Sequence, residues 1–146
     1  MFNFLLSNVQ SMELGLLCLR VGIGLIFVMH GWGKIIDVQQ WHWLGSQMSH
    51  LGITFLPAFW GFLAAAAEFV GGLCLVFGFA TRIVSVILVF QMIIALLYHF
   101  NNGDGFKIYS HALSLLIVFV GLFLTGPGKM SLDYFLHSKE DVQNKL

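Results

Sequence analysis

Apolar residues along the chain fall into four long blocks, separated by short polar or glycine-rich stretches. The blocks cover residues 14–29, 55–79, 83–100 and 108–125, and the first extends through "HGWGKII". Each block reaches, or nearly reaches, the roughly 17–25 residues that a helix needs to cross a bilayer. The blocks show no alternation with a period of two residues, so the pattern predicts membrane-spanning helices rather than the strands of a barrel.

The predicted fold is an all-α membrane protein, a four-transmembrane-helix bundle with up-down-up-down topology and a single domain over residues 1–146. Helix-ending residues separate the spans: Gly78 can end the second, Thr81 can cap the third, and "TGPG" stops the fourth. The helices are expected at about residues 12–36, 55–79, 82–100 and 108–125, followed by a short cytoplasmic tail, residues 126–146.

Composition supports this interpretation and limits the partners. Of the 146 residues, 58% are hydrophobic and only 10% are charged, whereas soluble domains carry about 25% charged residues. Lys+Arg and Asp+Glu balance at 7 each. The chain therefore offers no basic surface for nucleic acid, and the lipid bilayer is its expected surrounding.

Basic residues indicate the orientation of the bundle. Four spans place both termini on one side, and that side holds four basic residues against two on the other. Because Lys and Arg prefer cytoplasmic loops, we predict a multi-pass protein of a bacterial inner membrane with both termini in the cytoplasm. The side with the termini would carry Arg82, Lys129, Lys139 and Lys145, and the other side Lys34 and Lys107.

The longest connection, residues 36–54, is predicted to be a loop that lies on the outer surface of the bilayer. It contains Trp41 and Trp43, and tryptophan favours the membrane interface. The turn "NNGDG" at residues 101–105 would lie on the same side. A polar pocket near these segments would therefore open toward the outer leaflet.

Polar side chains inside the spans are candidates for a functional site, because a charge at the centre of a bilayer costs about 2.5–3.5 kcal/mol on insertion scales. Glu68 lies near the middle of the second span, Gln91 near the middle of the third, and Arg20 about two turns into the first. Glu68 is expected to face the bundle rather than lipid. Two interpretations of it stay open: an ion pair with Arg20 that fixes the helix register, or a proton or substrate site.

Three histidines, His30, His99 and His111, lie near the predicted outer ends of three different spans. Their shared depth predicts that they enclose one cavity, where they could bind a transition metal, or hydrogen-bond the carbonyls of a quinone and carry its protons. The spacing motifs of metal sites are absent, which ranks a quinone above zinc. Lys34 is one helical turn from His30 and either joins this pocket or anchors the helix end by snorkelling.

Four parts of the sequence resemble the DoxX family of small four-span membrane proteins. "LRVGIGLIFVMHGWGKI" (19–35) is similar to the family's first-helix signature, and "AEFVGGLCLVFGFATR" (67–82) is similar to its second. His99 stands at the end of the third helix, as in many members, and "GPGKMSLD" (126–133) resembles the closing motif. The motifs follow in the family's order and extend over nearly the whole chain.

The resemblance implies a link to redox systems, since some DoxX-like proteins resemble the small subunit of a thiosulfate:quinone oxidoreductase and others are linked to thiol and superoxide defence. The first hypothesis is a membrane subunit of an oxidoreductase system that binds a quinone or another small lipophilic molecule. The alternative is a non-catalytic anchor or scaffold for soluble redox proteins; a homo-oligomer stays open in both cases. Candidate catalytic residues are Glu68 and His99, and candidate pocket residues are Arg20, His30, Lys34, Gln91 and His111.

Overall fold

The computed structural model describes the backbone of residues 9–143 and the side chains of residues 11–139, and all secondary structure in that part of the chain is helical. Four of these helices are long and apolar enough to span a membrane, which confirms the predicted fold class. Lys145, which contributes to the orientation argument, lies outside the described residues. The candidate spans are α1 (Val9–Ile36), α3 (Pro57–Phe77), α4 (Thr81–Asn101) and α5 (Phe106–Thr125); the shorter elements are α2 (Val38–Ser46), a 3-10 helix (Gln47–Leu51) and α6 (Leu132–Gln143).

Glycines bring α1 and α3 into close antiparallel contact. A Cβ atom on Gly31 would lie 2.3 Å from the backbone nitrogen of Phe69, and one on Gly72 would lie 2.7 Å from the carbonyl oxygen of Gly24. Since no side chain fits at such distances, the two backbones pack directly on each other, as helices do at small-residue interfaces in membranes. These contacts fix the register: Gly31 lies level with Phe69, and Gly24 with the turn that begins at Gly72.

The segment predicted to be a surface loop is helical, and it continues α1 after a break at Asp37. The backbone leaves the helical region there, with a ψ of 86°. A Cβ atom on Gly45 would lie 1.7 Å from the carbonyl oxygen of Pro57, and one on Gly61 would lie 1.8 Å from that of Trp41. Glycine thus allows α2 to run along the first turns of α3 in the direction of α1. The prediction of a loop is wrong here, because these close contacts hold the segment as a helix.

Arg20 holds together the end of the bundle where α3 turns into α4, which we call the 78–80 end. Gly78 ends α3 with a φ of 68°, and a Cβ atom there would lie 2.7 Å from Cζ of Arg20. The guanidinium donates hydrogen bonds to the carbonyl oxygens of Pro127 and, at 2.7 Å, Met130. Arg20, at 1% exposure, therefore ties the segment after α5 to the α3–α4 turn.

The N-terminal cap of α4 comes from α6, whose second residue is Asp133. The carboxylate of Asp133 accepts hydrogen bonds from the backbone nitrogens of Ala80, at 2.7 Å, and Thr81, at 3.0 Å. The prediction that Thr81 caps this helix is wrong, because Thr81 is the first helical residue and its buried hydroxyl has no hydrogen-bond partner among the described residues. The segment predicted to be a cytoplasmic tail therefore caps α4 and forms part of the 78–80 end.

Candidate functional site

A buried carboxylate, Glu68, is held by two side chains near the middle of the bundle. The ammonium of Lys34 lies 2.6 Å from both carboxylate oxygens, and the amide nitrogen of Gln91 lies 2.6 Å from Oε1. The side chain of Glu68 is 5% exposed and that of Lys34 is 28% exposed. Such partners are what a carboxylate in an apolar setting requires, because an unpaired buried charge is costly.

The Glu68 cluster, which consists of Lys34, Glu68 and Gln91, forms part of the wall of a cavity of about 250 Å³. Residues of α1, α3, α4 and α5 line the cavity, so it lies between all four candidate spans. The three predicted histidines share this cavity, while their functional roles stay predictions. The lining consists of His30, Lys34, Glu68, Gln91, His99 and His111 with Ile26, Phe27, Met92, Ala95, Ile108, Ala112 and Leu115.

The histidines reach the cavity from different depths. Gly31 lies level with Phe69, which puts His30 beyond the middle of α3 when counted from Pro57. His99 lies in the last turn of α4, beside the turn into α5. The prediction of one shared depth is wrong, because α2 continues past α1 and the end of α1 therefore lies well inside the bundle. The cavity accordingly extends along the bundle axis.

Lys34 points into the bundle rather than toward its surface. Snorkelling would have carried its ammonium outward, but the ammonium contacts Glu68, near the middle of α3. The carbonyl oxygen of Lys34 accepts a hydrogen bond of 2.9 Å from the indole Nε1 of Trp41. α2 thus holds the backbone of Lys34 while the side chain lies in the cavity.

Arg20 is the predicted pocket residue that the structure places elsewhere. It does not line the cavity, and its guanidinium binds carbonyl groups at the 78–80 end. Gly78, which Arg20 contacts, is about 15 Å along the helical path from Glu68, at 1.5 Å per residue. The predicted ion pair between Arg20 and Glu68 is therefore wrong, and Lys34 takes the place of Arg20.

Asp104 is a further candidate residue, which sequence reasoning missed. Its Oδ2 lies 2.7 Å from Nδ1 of His99. An ionised carboxylate only accepts hydrogen bonds, so this contact places a proton on Nδ1 and leaves Nε2 of a neutral imidazole as an acceptor. The signal in the sequence was an acidic residue shortly after His99, in a turn that reverses the chain at Gly103, where φ is 71°.

The cavity is equipped for acid–base and hydrogen-bond chemistry. Lys34 can donate to an oxygen of a bound molecule, Glu68 can accept a proton, and His99 can do either. Among the described residues, no group of three or more His, Cys, Asp or Glu side chains is arranged to hold a metal ion. A ligand that exchanges protons and accepts hydrogen bonds therefore suits these residues best.

Four apolar spans around a cavity that contains several polar side chains define a small multi-pass membrane protein. The family model for DoxX matches residues 15–101, which is more than half of the chain. The chain belongs to the DoxX family, and the resemblance of its motifs is confirmed.

Two relatives are similar to this chain over most of their length. The chain is 33% identical over 132 residues to "Inner membrane protein YqjF" of Escherichia coli (strain K12), which covers 87% of this chain and 95% of that protein. It is 32% identical over 127 residues to "Putative oxidoreductase CatD" of Bacillus subtilis (strain 168), with 87% and 90% covered. No solved structure is significantly similar to the chain.

Proposed function

We propose that this protein is the membrane subunit of an oxidoreductase system and that it binds a quinone, or another small lipophilic molecule, in the cavity around Glu68. One observation carries the proposal: a buried carboxylate held by Lys34 and Gln91 lines a cavity that three histidines also line. The relative named as an oxidoreductase supports the same class of chemistry.

The size of the cavity supports a quinone ring as the ligand. An apolar cavity of about 150 Å³ takes up one benzene molecule, and the cavity here measures about 250 Å³. A ring with two carbonyl oxygens and small substituents therefore fits. A hydrocarbon tail would leave between α1 and α5, which pack less closely than α1 and α3. Ile26 and Ile108, at 48% and 53% exposure, line the cavity on these two helices.

In this proposal the cavity residues handle protons and a partner supplies electrons. Reduction of a quinone to a quinol takes up electrons and protons in equal number. Glu68 and His99 are the proposed proton carriers, and Asp104 keeps Nε2 of His99 available as the acceptor. Lys34 is the proposed donor to a quinone carbonyl. The electrons would come from a soluble redox protein or another subunit, which is the partner that this function requires.

The location that fits this role is a bacterial inner membrane with both termini in the cytoplasm, as the basic residues predict. The relative from Escherichia coli is named as an inner membrane protein. With this orientation the 78–80 end faces the cytoplasm, and the cavity extends toward the opposite surface.

A non-catalytic anchor for soluble redox proteins is the second candidate function. α6 favours it, because Tyr134, Phe135 and Leu136 are 49%, 55% and 48% exposed at the 78–80 end. Such side chains leave apolar surface on α6 open to a soluble partner. An anchor would need this apolar surface and not the chemistry of the cavity, so the two functions predict different effects of changes at Glu68.

The test is quinone binding to purified protein in lipid nanodiscs, with decyl-ubiquinone as the probe and tryptophan quenching as the signal. We expect saturable binding that Glu68→Gln weakens by about tenfold or more, since the carboxylate holds in place the ammonium of Lys34, the proposed donor to a quinone carbonyl. Lys107→Met is the control, because Lys107 is exposed and does not line the cavity. Binding that is absent, or equal in all three proteins, would overturn the proposal and leave the anchor.

A further inference from the structure

A second cavity lies between α3 and α4, next to the 3-10 helix. Its volume is about 180 Å³, and its lining includes Met48, Ala64, Ala67 and Phe90. The walls are apolar except for two residues, Trp60 and Gln91. Phe90 is 48% exposed and Leu63, also in the lining, is 41% exposed, so the cavity borders the lipid-facing surface. This cavity plays no part in the proposed function.

Both polar residues of the second cavity carry a buried atom that has no hydrogen-bond partner among the described residues. These atoms are the indole Nε1 of Trp60 and the amide Oε1 of Gln91. Glu68 sets the orientation of the Gln91 amide, because its carboxylate accepts a hydrogen bond from Nε2 of Gln91. The amide oxygen Oε1 of Gln91 is therefore left without a partner in that cluster. The Trp60 ring packs against Phe55 and Phe59, with centroids 6.1 and 5.5 Å away. One donor and one acceptor thus remain unused.

Buried polar atoms in proteins are nearly always paired, so each unpaired one needs an explanation. A hydroxyl group bound between the two atoms would satisfy both, because it accepts one hydrogen bond and donates another. The rest of the ligand must be apolar, to match the walls. An apolar cavity of about 150 Å³ holds one benzene ring, and this one, at about 180 Å³, has room for a ring with one further atom.

We propose that the second cavity binds a single-ring phenol that enters from the bilayer. The phenol hydroxyl accepts from Nε1 of Trp60 and donates to Oε1 of Gln91, and the ring lies among the apolar side chains. Gln91 also lines the first cavity, so the phenol and the Glu68 cluster share this one amide. The proposal does not depend on the ligand of the first cavity.

The experiment is ligand-observed fluorine NMR with 4-fluorophenol, using the whole protein in nanodiscs and empty nanodiscs as background. Fluorobenzene is the matched ligand, because it has the ring and lacks the hydroxyl. We expect saturable binding of 4-fluorophenol that is at least about fivefold tighter than that of fluorobenzene. No saturable binding, or equal binding of the two ligands, would overturn the proposal whatever the variants do.

Three variants locate the site. Trp60→Phe keeps an aromatic ring and removes the donor, so it should weaken 4-fluorophenol about fivefold while leaving fluorobenzene unchanged. Ala67→Leu fills the second cavity and should abolish binding, whereas Ala95→Leu fills the first cavity and should have no effect. If Ala95→Leu abolishes binding and Ala67→Leu does not, the phenol binds beside Glu68 and the second site is refuted. Loss of quinone binding alone would leave this result untouched.

Discussion

The ammonium of Lys34 lies 2.6 Å from both carboxylate oxygens of Glu68, so a cation from the last turn of α1 is paired with an anion near the middle of α3. The pair joins two helices whose backbones pack directly on each other, and Gln91 adds α4 to the same cluster. The register of α1 against α3, the ion pair between Lys34 and Glu68, and the wall of the first cavity are therefore all set at one level of the bundle.

The first prediction concerns this ion pair. Lys34→Met should lower the apparent free energy of unfolding by about 1–3 kcal/mol, because it leaves a buried carboxylate without its counter-ion. Adding Glu68→Gln should recover most of that loss, since the neutral amide needs no cation. Thermal unfolding of the single and double variants in detergent measures the coupling. Losses that simply add would show that the pair contributes nothing.

The second prediction compares two glycines of α1. Gly31→Ala should destabilise the bundle by about 1–3 kcal/mol, because the added methyl group meets the backbone of Phe69 at 2.3 Å and the backbone cannot give way. Gly33→Ala is the control: its Cβ atom has nothing within 4 Å, and alanine favours a helix by about 1 kcal/mol over glycine. Melting temperatures of both variants decide. Equal losses at the two positions would contradict the packing.

The third prediction tests the role of Arg20 at the 78–80 end. Arg20→Lys keeps the charge but lacks the planar fork that donates to both Pro127 and Met130. The segment should loosen, so trypsin should cleave after the exposed Lys129 several times faster than in the wild-type protein. Glu68→Gln, which changes the other cluster, should leave this rate as it is. An unchanged rate in Arg20→Lys would show that the fork is dispensable.

The fourth prediction separates the two residues at the start of α4. Asp133→Ala should cost about 0.5–2 kcal/mol, the usual range for removing a helix cap, because the backbone nitrogens of Ala80 and Thr81 lose their acceptor. Thr81→Val should be neutral or slightly stabilising, since it removes a buried hydroxyl that is unpaired within the described residues. Unfolding curves of both variants provide the comparison. A larger loss for Thr81→Val would restore the cap expected from the sequence.

The fifth prediction concerns the proton on His99. At neutral pH the neutral ring should carry its proton on Nδ1, because Asp104 accepts there at 2.7 Å. Nitrogen chemical shifts of labelled histidine distinguish the two tautomers directly. Asp104→Ala should shift the population toward the Nε2–H form, and Asn101→Ala, a change at the same turn, should not. A neutral wild-type ring that carries its proton on Nε2 would contradict the contact.

The spans could be predicted because their signals are local. Length, hydropathy and helix-ending residues act over one segment at a time, so the span expected at residues 55–79 is found at Pro57–Phe77. Most residues of the candidate pocket could also be predicted from the sequence. Polar residues in a membrane span must face the bundle, and this condition alone selects Glu68 and Gln91.

What could not be predicted depends on how the helices are aligned. The partner of Glu68 follows from the register of α1 against α3, and that register is set where Gly31 meets Phe69 and Gly72 meets Gly24. Counting depth from the end of α1 failed, because the sequence does not show that α2 continues in the same direction. The sequence shows the glycines spaced along both helices, but only the folded structure shows where they pack on the other helix.

The lengths of the helices have a consequence for the surrounding membrane. α3, α4 and α5 have 21, 21 and 20 residues, or about 30–32 Å at 1.5 Å per residue, which matches a hydrocarbon layer of about 30 Å. α1 has 28 residues, about 42 Å, and α2 lengthens the same arm beyond Asp37. Where a helix is longer than the hydrocarbon layer, the membrane and the protein adjust by tilting of the helix or by local thickening of the lipid. We therefore expect lipids of different chain length to pack unequally well on the side of the bundle that α1 forms and on the side that the shorter helices form.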